Sequence, residues 1–132
     1  MRRTRASIAF AIALGAGGCR TESADAETLA AGMKAKMTLP VQVDADTRLD
    51  DVRAVAKKEL GYFLTLTTMT KAKVDANPSF AGLLESNLRG GACANPNYVK
   101  LFKAGISVRV VYQTQDGVEV RKIALAPKDC GL

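Results

Sequence analysis

The sequence predicts an α+β domain, and three observations carry that expectation. Near the C-terminus an alternating run at residues 106–113 meets a second run across Asp116-Gly117, the pattern of a half-buried antiparallel hairpin. Upstream, Asn77-Pro78 and Asn95-Pro96 each open an apolar stripe at helical spacing. Cys93 and Cys130 bracket the second of these helices together with the hairpin.

The chain begins with an export signature. Arg2, Arg3 and Arg5 precede residues 6–14, which carry no charge, and Gly15-Ala16-Gly17-Gly18 follow. A basic start, a short apolar run and small residues make residues 1–18 a signal peptide. The apolar run is too short to span a bilayer. Ala16 and Gly18 permit cleavage after Gly18, and Cys19 sits at that same bond, so the site is also a bacterial lipobox with Ala16 where Leu is usual. Cys19 is therefore the expected lipidation site, with ordinary secretory cleavage as the alternative. Three cysteines are an odd number for an exported chain. If Cys19 takes a lipid, Cys93 and Cys130 remain as one pair. Such a chain is periplasmic or anchored at the outer membrane; without the lipid it is periplasmic or secreted.

The formal net charge of +6 overstates the basicity of the exported part. Three arginines leave with the signal, so 16 of 19 Lys and Arg remain against 13 Asp and Glu, a net of +3. No basic block resembles a nucleic-acid stripe, and nucleic acid is not an expected partner. With no histidine, histidine-based triads and histidine general bases are excluded and the commonest metal ligand is missing.

Residues 19–38 read as an N-terminal helix or tether. Ser23 or Asp25 serves as N-cap, and Leu29, Met33 and Met37 recur at fours beside Ala26 and Ala30. Leu39-Pro40 ends it, and residues 39–132 read as one domain. Residues 41–47 are a short extended run and turn. Asp44, Asp46 and Asp50 have the opening spacing of a calcium loop. Leu49 stands where that loop needs Gly and Val55 where it needs Glu, so they read as turn carboxylates and no metal is expected.

Residues 47–69 allow two readings. In one, a helix from Thr47 to Leu60 stops at Gly61 and a strand follows. In the other, residues 49–56 and 60–69 form a hairpin turning at Lys57-Lys58-Glu59. Tyr62, Leu64 and Leu66 alternate with Phe63, Thr65 and Thr67, which makes the second half a strand either way. Residues 74–91 hold a helix that starts at Pro78 behind the Asn77 cap, with Phe80, Leu83, Leu84, Asn87 and Leu88 on its inner face and Gly90-Gly91 as its stop. A short helix after Asn95-Pro96 points Tyr98, Leu101 and Phe102 inward and ends at Gly105. In the hairpin, a two-residue type I′ loop at Asp116-Gly117 places Val110 opposite Ile123, Val108 opposite Leu125 and Tyr112 opposite Arg121. A slip of one residue would send these side chains to opposite faces.

Leu39-Pro40, Val43-Asp44, Thr47, Leu49, Val52, Tyr62 and Leu64 form one half of a wider pattern. Cys93, Asn95-Pro96, Leu101, Gly105, Val110, Tyr112, Asp116-Gly117, Val120, Ile123, Asp129 and Cys130 form the other. Over residues 39–130 this order resembles a set of small exported bacterial proteins similar in style to the quorum-sensing-regulated virulence factor group. The resemblance implies a disulfide between Cys93 and Cys130 and the hairpin reading of residues 47–69; Lys57-Lys58-Glu59 departs from the Gly or Asn usual at that turn. The expected fold is thus a four-stranded antiparallel sheet from two β-hairpins, with helices packed on one face and one disulfide. The helix pair between the hairpins is expected to cover that face, and the N-terminal helix to add at its margin.

The resemblance supplies no activity, and the residues mark none. Cys93 has no Cys-x-x-Cys partner, and Glu85, Glu119 and Asp129 are dispersed. No catalytic, cofactor or metal residues are assigned. The expectation is a non-catalytic binding or accessory module of the cell envelope with an envelope protein as partner. Two alternatives are an inhibitor or immunity protein for a partner enzyme and a pilotin-like secretion accessory lipoprotein.

Overall fold

The computed structural model describes residues 25–132. The signal peptide, the lipidation site at Cys19 and the possible cap at Ser23 lie outside the described residues. Helices α1 (Ala26–Ala35), α2 (Lys71–Asp75), α3 (Phe80–Ala92) and α4 (Pro96–Lys103) accompany strands β1 (Val41–Asp44), β2 (Thr47–Ala56), β3 (Glu59–Leu66), β4 (Ser107–Thr114) and β5 (Glu119–Leu125). A 3-10 turn, Pro127–Cys130, closes the chain.

The fold is α+β, but the sheet corrects the four-stranded antiparallel expectation. It has five strands in the order β1-β2-β3-β4-β5. The run at residues 41–47 supplies the extra strand: Val41 pairs with Leu49 and Asp44 with Thr47 across a tight turn. The two hairpins, β2–β3 and β4–β5, are antiparallel, yet β3 and β4 meet in parallel, from Glu59 opposite Ser107 to Leu66 opposite Thr114. The reason is the connection. Residues 67–106 carry three helices, long enough to return the chain to the end from which β3 began, whereas an antiparallel neighbour needs only a short loop.

Residues 47–66 form the hairpin, turning at Lys57-Lys58, and the helical reading is excluded. In the second hairpin the expected pairs are present: Val108 with Leu125, Val110 with Ile123, Tyr112 with Arg121. The turn differs from the expected type I′. The Gly117 N–H donates to the Thr114 carbonyl at 2.9 Å and the Thr114 N–H to the Val118 carbonyl at 2.8 Å, a three-residue loop with Gly117 at φ +83°. A bulge between Tyr112 and Gln113 then shifts the ladder back by one residue. The two irregularities cancel, so the buried pairs stay on one face.

The helices also differ from expectation. The helix expected within residues 74–91 is present as α3, and a further short helix, α2, precedes it. Thr70 caps α2, its Oγ1 accepting the Lys73 N–H at 3.2 Å. Asn77-Pro78 falls in the break before α3, whose N-cap is Ser79. Gly90 and Gly91 lie inside α3, which continues to Ala92. Of its expected inner face, Leu83 and Asn87 are exposed. Helix α4 starts where Asn95 caps it, at 2.9 Å to the Asn97 N–H, and Gly105 at φ +80° releases the chain into β4.

The helices cover one face of the sheet, and α1 is not marginal there. Asp25 caps it, its Oδ1 accepting the Thr28 N–H at 3.0 Å. Ala26 and Ala30 are buried against Leu49, Val52, Leu60 and Ile106. A second cluster joins Phe102 and Ala92 to Val108, Val110, Ile123 and Leu125. Tyr62, Leu64 and Leu101 touch both clusters and make one continuous core. Each fully buried Val, Leu or Ile stabilises by about 1.5–3 kcal/mol, so this face dominates the fold's energy. Helix α3 contributes Leu88 and Ala92 to the core, and Glu85 ties it to β5 through Arg121 at 3.1 Å. No helix of the described residues is long and apolar enough to cross a membrane.

Candidate partner-binding groove

Strand β1 is short. It pairs with β2 only as far as Leu49, so the outer rim of β2 from Asp51 to Ala56 meets no strand among the described residues. Helix α1 packs beside that rim, and between them lies a groove of about 810 Å³. Its floor is made of small side chains, Ala30 and Ala31 from α1 and Ala54 and Ala56 from β2, with Val55 beside them. Alanine on both walls keeps the floor open to another chain's backbone. The Ala26 N–H bonds to the Lys57 carbonyl at 2.9 Å, which closes one end of the groove.

Asp51 holds the other end. Its Oδ1 lies 3.0 Å from Lys34 Nζ and its Oδ2 3.0 Å from Arg53 Nη1. The same carboxylate accepts the Val52 N–H at 2.9 Å, which shields part of the exposed rim. Partial burial works to raise the Asp51 carboxyl; the bonds from Lys34, Arg53 and the Val52 N–H outweigh it and hold the carboxyl below its ordinary value. Arg53 also lies over the Phe63 ring, 3.7 Å from the centroid, on the sheet face opposite the helices. Beside it a Cβ on Gly61 would stand 2.8 Å from Phe63 and Val55, so glycine lets these side chains close over the strand.

The cysteines lie elsewhere. Cys93, just after α3, is joined to Cys130 with an S–S distance of 2.02 Å and Cα atoms 5.4 Å apart. A small cleft of about 180 Å³ sits beside the bond, between Arg89, Phe102 and Asp129. Asp129 has a local task, accepting the Ala126 N–H at 2.7 Å to hold the final turn. The three carboxylates at calcium-loop spacing are likewise engaged. Asp44 accepts the Asp46 N–H at 2.8 Å, and Asp46 accepts the Thr68 hydroxyl at 3.3 Å. Asp50 accepts from Arg48 Nε at 2.6 Å and from the Thr65 hydroxyl. Among the described residues no group of three or more His, Cys, Asp or Glu is placed to hold a metal ion. Arg89 links Glu85, at 2.8 Å, to Asp129, at 3.9 Å, while Glu119 stands apart beside Lys122.

Sequence reasoning missed the groove. Its residues come from α1 and β2, neither of which carries a motif, and the groove exists only because β1 stops early. A faint signal was present: a run of small side chains in residues 54–56 beside charged residues on a strand.

Solved structures share this fold. The type 2 secretion system pilotin EpsS from Vibrio vulnificus matches with a TM-score of 0.61 at 15% identity, covering 81% of this chain and 89% of that one. A candidate secreted protein from Pseudomonas aeruginosa matches at 0.62 and 15% identity, covering 86% and 99%. The type II secretion system pilotin AspS from Vibrio cholerae matches at 0.57 and 18% identity, covering 80% and 88%. No protein-family model and no curated protein matches the chain.

Proposed function

We propose that this chain is a pilotin-like accessory lipoprotein of the bacterial cell envelope. In this reading acylated Cys19 anchors it to a bilayer, and the groove between α1 and β2 grips a segment of a larger envelope protein. The observation that carries the reading is the fold likeness to two type II secretion pilotins over 80–81% of the chain. The export signature and the disulfide agree with it. The groove supplies the means: an extended segment laid along residues 53–56 would continue the sheet, and the alanines of α1 leave it room. The role is binding, not catalysis.

The test is site-specific photo-crosslinking in intact cells. A photoreactive side chain at Ala31 or Val55, on the groove, is expected to capture the same envelope protein. One at Leu83, which is 56% exposed on α3, is expected to capture none of it. Ala31→Trp fills the groove and is expected to abolish capture at Val55 without changing thermal unfolding. Equal capture from all three sites, or capture that survives Ala31→Trp, would overturn the reading.

A further inference from the structure

We propose that one pole of the domain, carrying Lys57, Lys58, Lys103 and Lys128, is its membrane-docking surface and rests on a leaflet with anionic phospholipid headgroups. The inference deepens the reading above and rests on Cys19 being the anchor.

Chain geometry picks the pole. From Cys19 to Asp25 is a step of six residues, which reaches at most about 20 Å when fully extended. The domain therefore stays close to any bilayer that holds Cys19, on the side where Asp25 lies. That side is defined by the register. The Ala26 N–H bonds to the Lys57 carbonyl at 2.9 Å, in the turn between β2 and β3. The Lys58 carbonyl accepts the Ser107 N–H at 2.8 Å, so β4 starts at the same end. Lys103 is the last residue of α4, just before that strand. Strand β5 ends there too, with Leu125 opposite Val108, and Lys128 follows in the closing turn.

The four lysine side chains are exposed. Lys57, Lys103 and Lys128 have no carboxylate in direct ion-pair contact among the described residues, although the charge of Lys57 helps to lower the nearby Asp25 carboxyl. The acidic groups near them are largely engaged: Asp25 caps α1, Glu59 pairs with Arg109 at 3.2 Å and Asp129 holds the Ala126 N–H. Glu27 lines the groove instead. The opposite pole, at the β1–β2 and β4–β5 turns, carries Asp44, Asp46, Asp75, Asp116 and Glu119 against Lys71, Lys73 and Lys122, of which Lys71 pairs with Asp75 and Lys122 with Glu119. The charge asymmetry thus runs along the same direction as the tether and turns the lysine end toward negative headgroups.

The test uses the full exported chain, purified and reconstituted in phosphatidylcholine vesicles with and without phosphatidylglycerol. Intact mass reads acylation at Cys19, and lysine acetylation rates read which end is covered. The expected result is that Lys57, Lys58, Lys103 and Lys128 label several-fold more slowly with phosphatidylglycerol than without, while Lys71 and Lys73 do not change. High salt should remove the difference, and Lys57→Gln with Lys58→Gln should weaken protection of Lys103 and Lys128. An unacylated Cys19 overturns the anchor reading, and this orientation with it. An acylated Cys19 with uniform labelling, or with Lys71 and Lys73 protected, overturns the orientation alone. Protection that ignores phosphatidylglycerol and needs envelope extract would assign the lysines to an acidic protein instead.

Discussion

Tyrosine is the residue type whose chemistry this fold alters most. All three tyrosines, Tyr62, Tyr98 and Tyr112, have hydroxyls raised above the ordinary value of 10.0, Tyr62 and Tyr112 to about 12. Burial is the main cause, and at Tyr62 and Tyr112 the neighbouring Tyr98 adds to it. The rings pack together: Tyr62 meets Tyr98 edge-on with centroids 6.1 Å apart, and Tyr98 stacks on Phe102 at 6.4 Å. The folded state holds the phenols neutral while the unfolded chain ionises near pH 10, so their stabilisation is whole below that pH and lost as pH rises toward 12. Ultraviolet titration at pH 11 should find little tyrosinate in the folded protein and a jump in it when denaturant is added. A smooth titration near pH 10 without unfolding would contradict the packing. The residue scale was partly legible in the sequence. A type I′ loop asks for positive φ at both Asp116 and Gly117; Gly117 has it, but its turn is a three-residue loop that includes Gln115, whose N–H donates to the Met69 carbonyl at 2.8 Å, a contact from a distant loop.

Elements depend on such distant contacts in different degrees. In the C-terminal hairpin the strands and the buried pairs were legible, since alternation and a buried face permit one register, but the turn type and the bulge were not. The short helix α2 before Asn77 was not legible. Asn77-Pro78 carries a start signal, but the signal does not say whether a helix precedes it, and Thr70 begins one earlier. Lys71 is held there by Asp116 of the hairpin turn, its N–H donating to Oδ1 at 3.1 Å. Gly90 and Gly91 read as a stop because each costs about 1 kcal/mol in a helix. They sit on an exposed stretch that continues into the buried Ala92 and the tethered Cys93. The bond from Cys93 to Cys130, at a separation of 37 residues, binds α3 to the end of the second hairpin. Closing that loop is worth about 3–4 kcal/mol in the chain-entropy model. The double variant Cys93→Ser with Cys130→Ser should lose about that much in urea unfolding, with hydrogen exchange rising first in residues 93–130. Loss of protection first in β2 and β3 would contradict that division.

For the molecule as a whole, the class of fold was legible and the sheet's connectivity was not. Periodicity marks strands and helices, but β3 and β4 would look the same on paper in either relative direction. What decides it is where three helices deliver the chain, and that depends on packing of α3 and α4 that no local pattern records. The short β1 escaped for a similar reason: its four residues are all exposed, so they show no burial alternation. The groove followed from that shortness and was hidden with it.

The parallel seam between β3 and β4 has a consequence in time. Each hairpin closes over a few residues, an event of about 1–10 μs. Glu59 and Ser107, the first pair of the seam, are 48 positions apart, and their meeting waits for the intervening chain to collapse. Refolding should therefore be paced by the seam. Val110→Ala should slow refolding in stopped-flow measurements, and replacing exposed Val43 on β1 should leave the rate unchanged while altering only how fast the finished domain comes apart.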